Sequence, residues 1–390
     1  MKSSNYLPPE VWTQILITLP AKTLVRFRCV CKSWCSIIDN PDFIHTHFQL
    51  CKINSGNNNK LLVALEFLGR NGDEDYEYLL TVRQAETLRN LGRIFSKSDS
   101  YSYKIMGSCN GLLLVARHGP PCYLKELRLW NPCIRKSLVI PTYPLPSSLC
   151  DPELYVFGFA PDSRDYKVVK LAFGSSQDEE SGDMYFAVYT LNNQQWTVRN
   201  DPVNVSILNI YDRRGLFYFV STAVFFRGSA YWLAEKDKYM SGLFTHLGSF
   251  DFDRESITFL ELPISLEKSY CLSFLFLLGG SLAVFRMSSA TSSIWVLDQN
   301  NQKDPWTLWF SGKSSFQGFL LLKRHGSRKK IFYCEKDGGY FFYGKKAYNI
   351  VSCQVHELNN SMSSYLDLEM YSETLMLSTG YGARDLRFFP

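Results

Sequence analysis

LPPEVWTQILITLPAKTLVRFRCVCKSW, residues 7–34, is the stretch on which the architecture turns. Pro8 and Pro9 suit the first turn of a helix, where a missing N–H costs no hydrogen bond. Glu10 in that turn complements the positive end of the helix dipole. Val11, Ile15 and Leu19 recur every fourth residue, and Trp12 and Leu16 widen the stripe. Pro20 stops this helix, because the residue before a proline is pushed out of the α region. A second helical pattern starts near Lys22 with Leu24, Phe27 and Val30 on one side. A third carries Trp34, Ile37 and Ile38 and ends near Asn40 and Pro41. The spacing predicts three short helices and a first domain over residues 1–48.

About forty residues cannot bury all of these apolar groups among themselves. Leu7, Trp12, Ile15, Leu16, Leu19, Leu24, Phe27, Val30 and Trp34 leave a surplus apolar face rimmed by Lys22, Arg26, Arg28 and Lys32. Two outcomes fit such a face. It docks another protein, or it packs against the rest of the same chain.

After residue 50 the pattern changes. NSGNNNK (54–60) is a polar connection, and short β-type runs between turn clusters follow it. Five segments share one shape, a strand with an early aromatic, a polar turn and a second strand. They are LWNPCIRKSLVIP from Leu129, VYTLNNQQWTVR from Val188, SFDFDRESITFLELP from Ser249, IWVLDQNNQKDPWTLWF from Ile294 and AYNIVSCQVHELNN from Ala347. Their first aromatics, Trp130, Tyr189, Phe250, Trp295 and Tyr348, are spaced by 59, 61, 45 and 53 residues. A kelch-type blade repeats at roughly 50 residues. GSCNGLLLVA (107–116), VFFRGSAYWLA (224–234) and LLGGSLAVF (277–285) place glycine inside a strand–turn–strand. Together the two elements predict four-stranded modules in a β-propeller, with a β-sandwich or two small barrels as the competing arrangements. The fold class expected is α+β multidomain: three helices, then an all-β kelch-like β-propeller. Residues 49–104 are expected to be a connecting segment with first strands, and 105–390 the propeller.

Composition excludes several functions. Of 390 residues, 46% are hydrophobic and 20% charged, an ordinary globular balance. A net charge of +5 from scattered cations is not the footprint of a nucleic-acid binder. KRHGSRKK (323–330) reads as a hairpin tip. The run SYCLSFLFLLGGSLAVF (269–285) is uncharged, but Gly279 and Gly280 at its middle fit a turn between two buried strands better than a membrane helix. No partner membrane is expected. The N-terminus has no signal-peptide core, so the expected location is cytoplasmic and/or nuclear. Eleven cysteines follow no disulfide framework and no zinc spacing, and His45, His47 and Cys51 lack a second pair, so neither metal nor cofactor is expected. Hydrolase and P-loop signatures are missing, and Cys109 reads as a buried strand entry. The acidic runs DEDYE (73–77) and DEE (178–180) read as solvated loops.

Residues 7–44 resemble the F-box of the large plant F-box families. The resemblance rests on Leu7-Pro8, Ile15-Leu16, Leu19-Pro20, Leu24, Arg26-Phe27, Cys29-Val30-Cys31-Lys32, Trp34 and the closing NPDFI. The remainder resembles the kelch-like F-box-associated region of the same families, through GSCNGLLLV (107–115), FGFAPDSRDYKVVKL (157–171), GSAYWLA (228–234) and the segments above. This implies a non-catalytic receptor of an SCF-type ubiquitin ligase. Its F-box would dock a Skp-type adaptor, and through it cullin and a RING subunit. Its propeller would bind an unknown target protein. The adaptor-binding residues implied are Leu7, Pro8, Pro9, Trp12, Ile15, Leu16, Leu19, Pro20, Leu24, Phe27, Val30, Cys31, Lys32 and Trp34. Loops 143–153, 174–184, 235–246 and 286–293 are the candidates for target binding. A ligase-independent scaffold or lectin-like propeller stays open, as does an S-locus-type receptor of basic ribonucleases, which share this layout. One departure from the family pattern, the extra glycine in Leu247-Gly248-Ser249, predicts a β-bulge.

Overall fold

The fold is given by a computed structural model. It describes residues 7–54, 61–71, 75–84, 90–99, 102–119, 123–142, 149–174, 182–205, 223–234, 245–263, 272–278, 280–287, 291–299, 301, 305–313, 319–320, 330–336, 342–349, 354–357, 364–378 and 384–385.

The N-terminal part holds α1 (Pro9–Leu16), α2 (Ala21–Phe27), α3 (Lys32–Ile38) and α4 (Pro41–Asn54). Pro8 and Pro20 are the N-cap residues of α1 and α2, with extended ψ of 149° and 146°. Pro20 thus opens α2, whereas α1 already ends at Leu16, short of the stop expected at Leu19. Cys31 caps α3, its Sγ accepting the Trp34 N–H at 3.5 Å. The fourth helix corrects the expectation of three. The third helix ends at Ile38, close to Asn40 and Pro41 as expected, but Pro41 is also the first residue of a further 14-residue helix, where proline is favoured. Asn40 caps it by accepting the Asp42 N–H at 2.8 Å. α4 buries Phe43, Ile44, His47 and Phe48 on one face and crosses the boundary expected at residue 48.

The β part runs β1 (Leu61–Asn71), β2 (Asp75–Gln84), β3 (Asn90–Asp99), β4 (Ser102–Cys109), β5 (Leu112–Gly119), β6 (Tyr123–Asn131) and β7 (Lys136–Ile140). It continues with β8 (Leu149–Ala160), β9 (Asp165–Gly174), β10 (Gly182–Thr190), β11 (Gln195–Val205), β12 (Val224–Phe226), β13 (Ser229–Ala234), β14 (His246–Asp251) and β15 (Ser256–Glu261). Then come β16 (Leu272–Leu278), β17 (Ser281–Met287), β18 (Thr291–Leu297), β19 (Trp306–Lys313), β20 (Phe319–Leu320), β21 (Lys330–Lys336), β22 (Phe342–Asn349), β23 (Gln354–Glu357), β24 (Ser364–Tyr371) and β25 (Arg384–Asp385).

Among the described residues these form six antiparallel sheets. Five are meanders of consecutive strands: β4–β7, β8–β11, β12–β15, β16–β19 and β20–β23, with β25 added beside β7. The sixth has the order β24-β1-β2-β3, so a strand from the far end of the chain pairs with β1, Leu61 opposite Tyr371. β1–β3, expected as a connecting segment with first strands, thus belong to a sheet of the β part. The aromatics that set the repeat, Trp130, Tyr189, Phe250, Trp295 and Tyr348, all lie on the third strand of their sheets. The glycine elements are the first hairpins: Asn110 and Gly111 turn with φ of 50° and 80°, Arg227 and Gly228 with 48° and 80°. The apolar run 269–285 is likewise a hairpin, β16 to β17, with Gly280 at φ 80° in its turn. No helix among the described residues is long and apolar enough to cross a membrane.

Two expectations are corrected here. Gly248 makes no bulge: β14 pairs with β13 and β15 in unbroken register. The glycine instead leaves room for an indole, since a Cβ there would fall 2.4 Å from Cε2 of Trp232. The acidic run DEDYE is only partly a loop, because Asp75, Tyr76 and Glu77 open β2. KRHGSRKK lies outside the described residues except for Lys330.

The sheets β4–β7, β8–β11, β12–β15 and β16–β19 pack successively against one another. Leu112, Leu114, Leu127 and Leu129 pack against Tyr155, Phe157 and Tyr189 of the next sheet. Val156, Val169 and Val188 meet Trp232 and Phe250 of the sheet after that. Val224, Leu233 and Leu247 meet Leu275, Leu282 and Val284 in turn. Cys109 is buried in the first of these clusters, as expected, but it closes β4 instead of entering a strand.

Candidate adaptor interface

The four helices are not free-standing. Leu16, Ala21, Leu24, Ile38, Phe43 and Ile44 share one buried cluster with Val63 and Leu80, with Ile105, Leu113 and Trp130, and with Leu375. One side of the apolar surplus therefore packs on the β part. The other side does not: Leu7, Ile15 and Val30 are 42%, 44% and 59% exposed. Packing against the rest of the chain holds for one subset of these residues, and the other subset stays exposed.

The residues expected to bind an adaptor divide accordingly. Leu7, Pro8, Pro9, Ile15, Pro20, Val30, Cys31 and Lys32 are exposed. Trp12, Leu19, Phe27 and Trp34 are half-buried. Trp34 links them, its ring 5.0 Å from that of Trp12 and 5.3 Å from that of Phe27, so α1, α2 and α3 meet in one aromatic group. Leu16 and Leu24 are fully buried, and as core residues they are not available to a partner in this arrangement. Lys22 and Arg26 stay exposed on the rim.

Polar contacts fix the helices. Arg28, at the end of α2, places Nε 2.7 Å and Nη2 3.1 Å from the two carboxylate oxygens of Asp39, at the end of α3. Its Nη1 donates to the Ser378 carbonyl at 3.1 Å, across 350 positions of sequence. Burial opposes the charge on Arg28, but the Asp39 carboxylate outweighs it and raises the guanidinium pKa. His47 is fully buried and its Nε2 donates to the Leu19 carbonyl at 2.8 Å, tying α4 to the connection between α1 and α2. Cys51 lies 3.8 Å from the same ring, so these two side chains make a structural contact. Among the described residues no group of three or more metal-ligating side chains converges. Sequence reasoning missed Arg28, Asp39 and His47 as fastening residues. For Arg28 and Ser378 no local signal exists to find them.

The strand order fixes which end of the sheets the helices occupy. In an antiparallel meander, first and third turns lie at one end and second turns at the other. The helices sit at the first-turn end: Asp42 of α4 is 3.4 Å from Arg164, in the β8–β9 turn. The candidate target loops join β7 to β8, β9 to β10, β13 to β14 and β17 to β18, all at the opposite end. Most of their residues lie outside the described residues.

Comparison with known proteins agrees with this layout. Residues 5–46 match the F-box domain family, and residues 78–375 match the F-box associated beta propeller domain family. The chain is similar to F-box/kelch-repeat protein At3g23880 of Arabidopsis thaliana, 24% identical over 96% of this chain and 97% of that protein. It is similar to F-box protein CPR1 of the same plant, 25% identical over 78% of this chain and 72% of the other. Putative F-box protein At3g23260, also of Arabidopsis thaliana, is 27% identical over 66% of this chain and 64% of its own length. An N-terminal F-box, a β part of successive four-stranded antiparallel sheets, and these matches over most of its length place the chain in the family of plant F-box proteins with an F-box-associated β-propeller domain.

Proposed function

We propose that this chain is the substrate-recognition subunit of an SCF-type cullin–RING ubiquitin ligase, acting in the cytoplasm and/or nucleus. The observation that carries the reading is the exposed apolar set of Ile15 on α1, Leu7 just before it and Val30 between α2 and α3, beside helices whose other side is already buried. A set of that kind, rimmed by Lys22, Arg26 and Lys32, suits a protein partner, and in an F-box that partner is the Skp-type adaptor. The chain supplies no catalytic group to ubiquitin transfer. Its contribution is positional: the far ends of the sheets hold a target, and docking brings it to high effective concentration near the activated ubiquitin.

The test is co-purification of the full chain with a recombinant Skp-type adaptor and cullin. Recovery of both supports the reading. Recovery of neither, with the chain folded, favours a ligase-independent binding module.

A further inference from the structure

We propose that residues 372–378 form the seat that fixes the F-box helices on the β part, with Asn131 and Arg28 as its positioning residues. This segment follows β24 directly and runs between the two parts of the molecule. Its side chains enter both clusters, Met376 packing against each. Leu375 packs with Leu16, Leu24 and Ile38 of the helices, and Leu377 packs with Leu112, Leu127 and Leu129 of the sheets. Thr374 and Leu375 have no exposed surface.

The backbone of the segment is held from the β side. The buried Asn131 amide donates to the carbonyls of Thr374 at 2.8 Å and Met376 at 2.7 Å, and its oxygen accepts the Cys133 N–H at 3.0 Å. Gly111 leaves the segment space, since a Cβ there would fall 2.1 Å from the Ser372 carbonyl oxygen. Leu377 has φ 66°, a conformation that leucine adopts only where its surroundings impose it. From the helix side, Arg28 ties the ends of α2 and α3 to the Ser378 carbonyl. A further polar link among the described residues, Asp42 to Arg164, is highly exposed and contributes little.

Chain order gives the seat a consequence. The seat is made after the F-box helices and after the strand that pairs with β1. The helices are therefore fixed only in a chain whose β24 is complete and paired. What that does for ubiquitin transfer rests on the receptor reading above, whereas the seat itself does not, and the test uses the full chain alone.

Hydrogen exchange followed by mass spectrometry on the full chain tests the seat. Arg28→Ala and Asn131→Ala should each speed exchange in α2–α4 by about tenfold, with β12–β15 unchanged. The double variant should exceed Asn131→Ala by no more than the increment that Asp39→Ala gives, because Arg28 and Asn131 hold the same segment and only the Arg28–Asp39 link lies outside it. Asp39→Ala, which breaks only the link within the helices, should add to Asn131→Ala in full. Arg164→Ala should change nothing. Unchanged exchange in α2–α4 for Arg28→Ala, or full additivity of Arg28→Ala with Asn131→Ala, overturns the proposal. If Asn131→Ala opens the sheets as well, Arg28→Ala decides alone.

Discussion

Ile15 and Leu16 are neighbours in α1 with opposite environments: Ile15 is 44% exposed, while Leu16 is fully buried among Leu24, Ile38, Trp130 and Leu375. Truncating the two should have different consequences. Leu16→Ala leaves a cavity in a packed cluster and should cost about 2–5 kcal/mol of stability. Ile15→Ala should stay within about 0.5 kcal/mol of the parent. Denaturant unfolding of the two variants checks this, and equal losses would contradict the division between core and docking side.

Gly248→Ala should destabilise the β part by about 1–3 kcal/mol, because the new methyl meets the Trp232 ring and neither strand has a bulge to absorb it. The fluorescence of the folded variant should also change, since the indole must move. A variant as stable as the parent would show that the pairing of β13 and β14 tolerates more volume than its geometry implies.

Lys167, Glu255 and Arg199 clasp two neighbouring sheets. Lys167 Nζ lies 2.9 Å from Glu255 Oε1 and 2.8 Å from the Phe252 carbonyl, and Arg199 also reaches Glu255. Burial alone would raise the Glu255 pKa, but hydrogen bonds from Arg199 and Lys167 outweigh it and hold the carboxyl below its ordinary value of 4.5. A carboxylate with a depressed folded pKa stabilises the protein above its unfolded value and loses that contribution as the pH falls through the folded one. Stability should therefore drop below about pH 4.5 more steeply in the parent than in Glu255→Gln. Parallel stability curves for the two over that range would remove the clasp as a cause.

His47 titrates in a higher window. Burial lowers its pKa; the Leu19 carbonyl and Glu373 act in the opposite sense without restoring the ordinary value of 6.5. The folded chain thus holds a neutral ring where the unfolded chain would be protonated, so stability is present above pH 6.5 and falls as the pH drops below it. His47→Gln, which keeps a donor for the Leu19 carbonyl, should flatten the profile between pH 6.5 and the lower folded pKa. A profile of unchanged slope would assign that titration to another group.

Much of this architecture was legible because its determinants are local. Asn110-Gly111 and Arg227-Gly228 announce their turns within two residues, and the third-strand aromatics mark every meander from β4–β7 to β20–β23. The sheet built from β24 and β1–β3 had no such mark, since pairing Leu61 with Tyr371 joins positions at opposite ends of the chain. The apolar stripe of α1 was equally plain, but it reports only that Ile15 and Leu16 avoid water. Which of them meets the β part depends on Trp130 and Leu375, far away in sequence. Pro41 misled because proline both ends one helix and begins the next. Gly248 misled because its reason for being glycine is a ring on the facing strand.

Docking of a Skp-type adaptor on the exposed apolar side of the F-box, as proposed, is tested by direct titration of recombinant adaptor against the full chain. The informative variant is Ile15→Asp with Val30→Asp, since both positions are exposed and the fold should survive, as thermal unfolding in parallel will show. Two carboxylates desolvated in an apolar interface should weaken binding by at least about 100-fold. Arg164→Ala, on the β part, should leave the affinity unchanged. Parent-like affinity of the folded double variant would contradict the account.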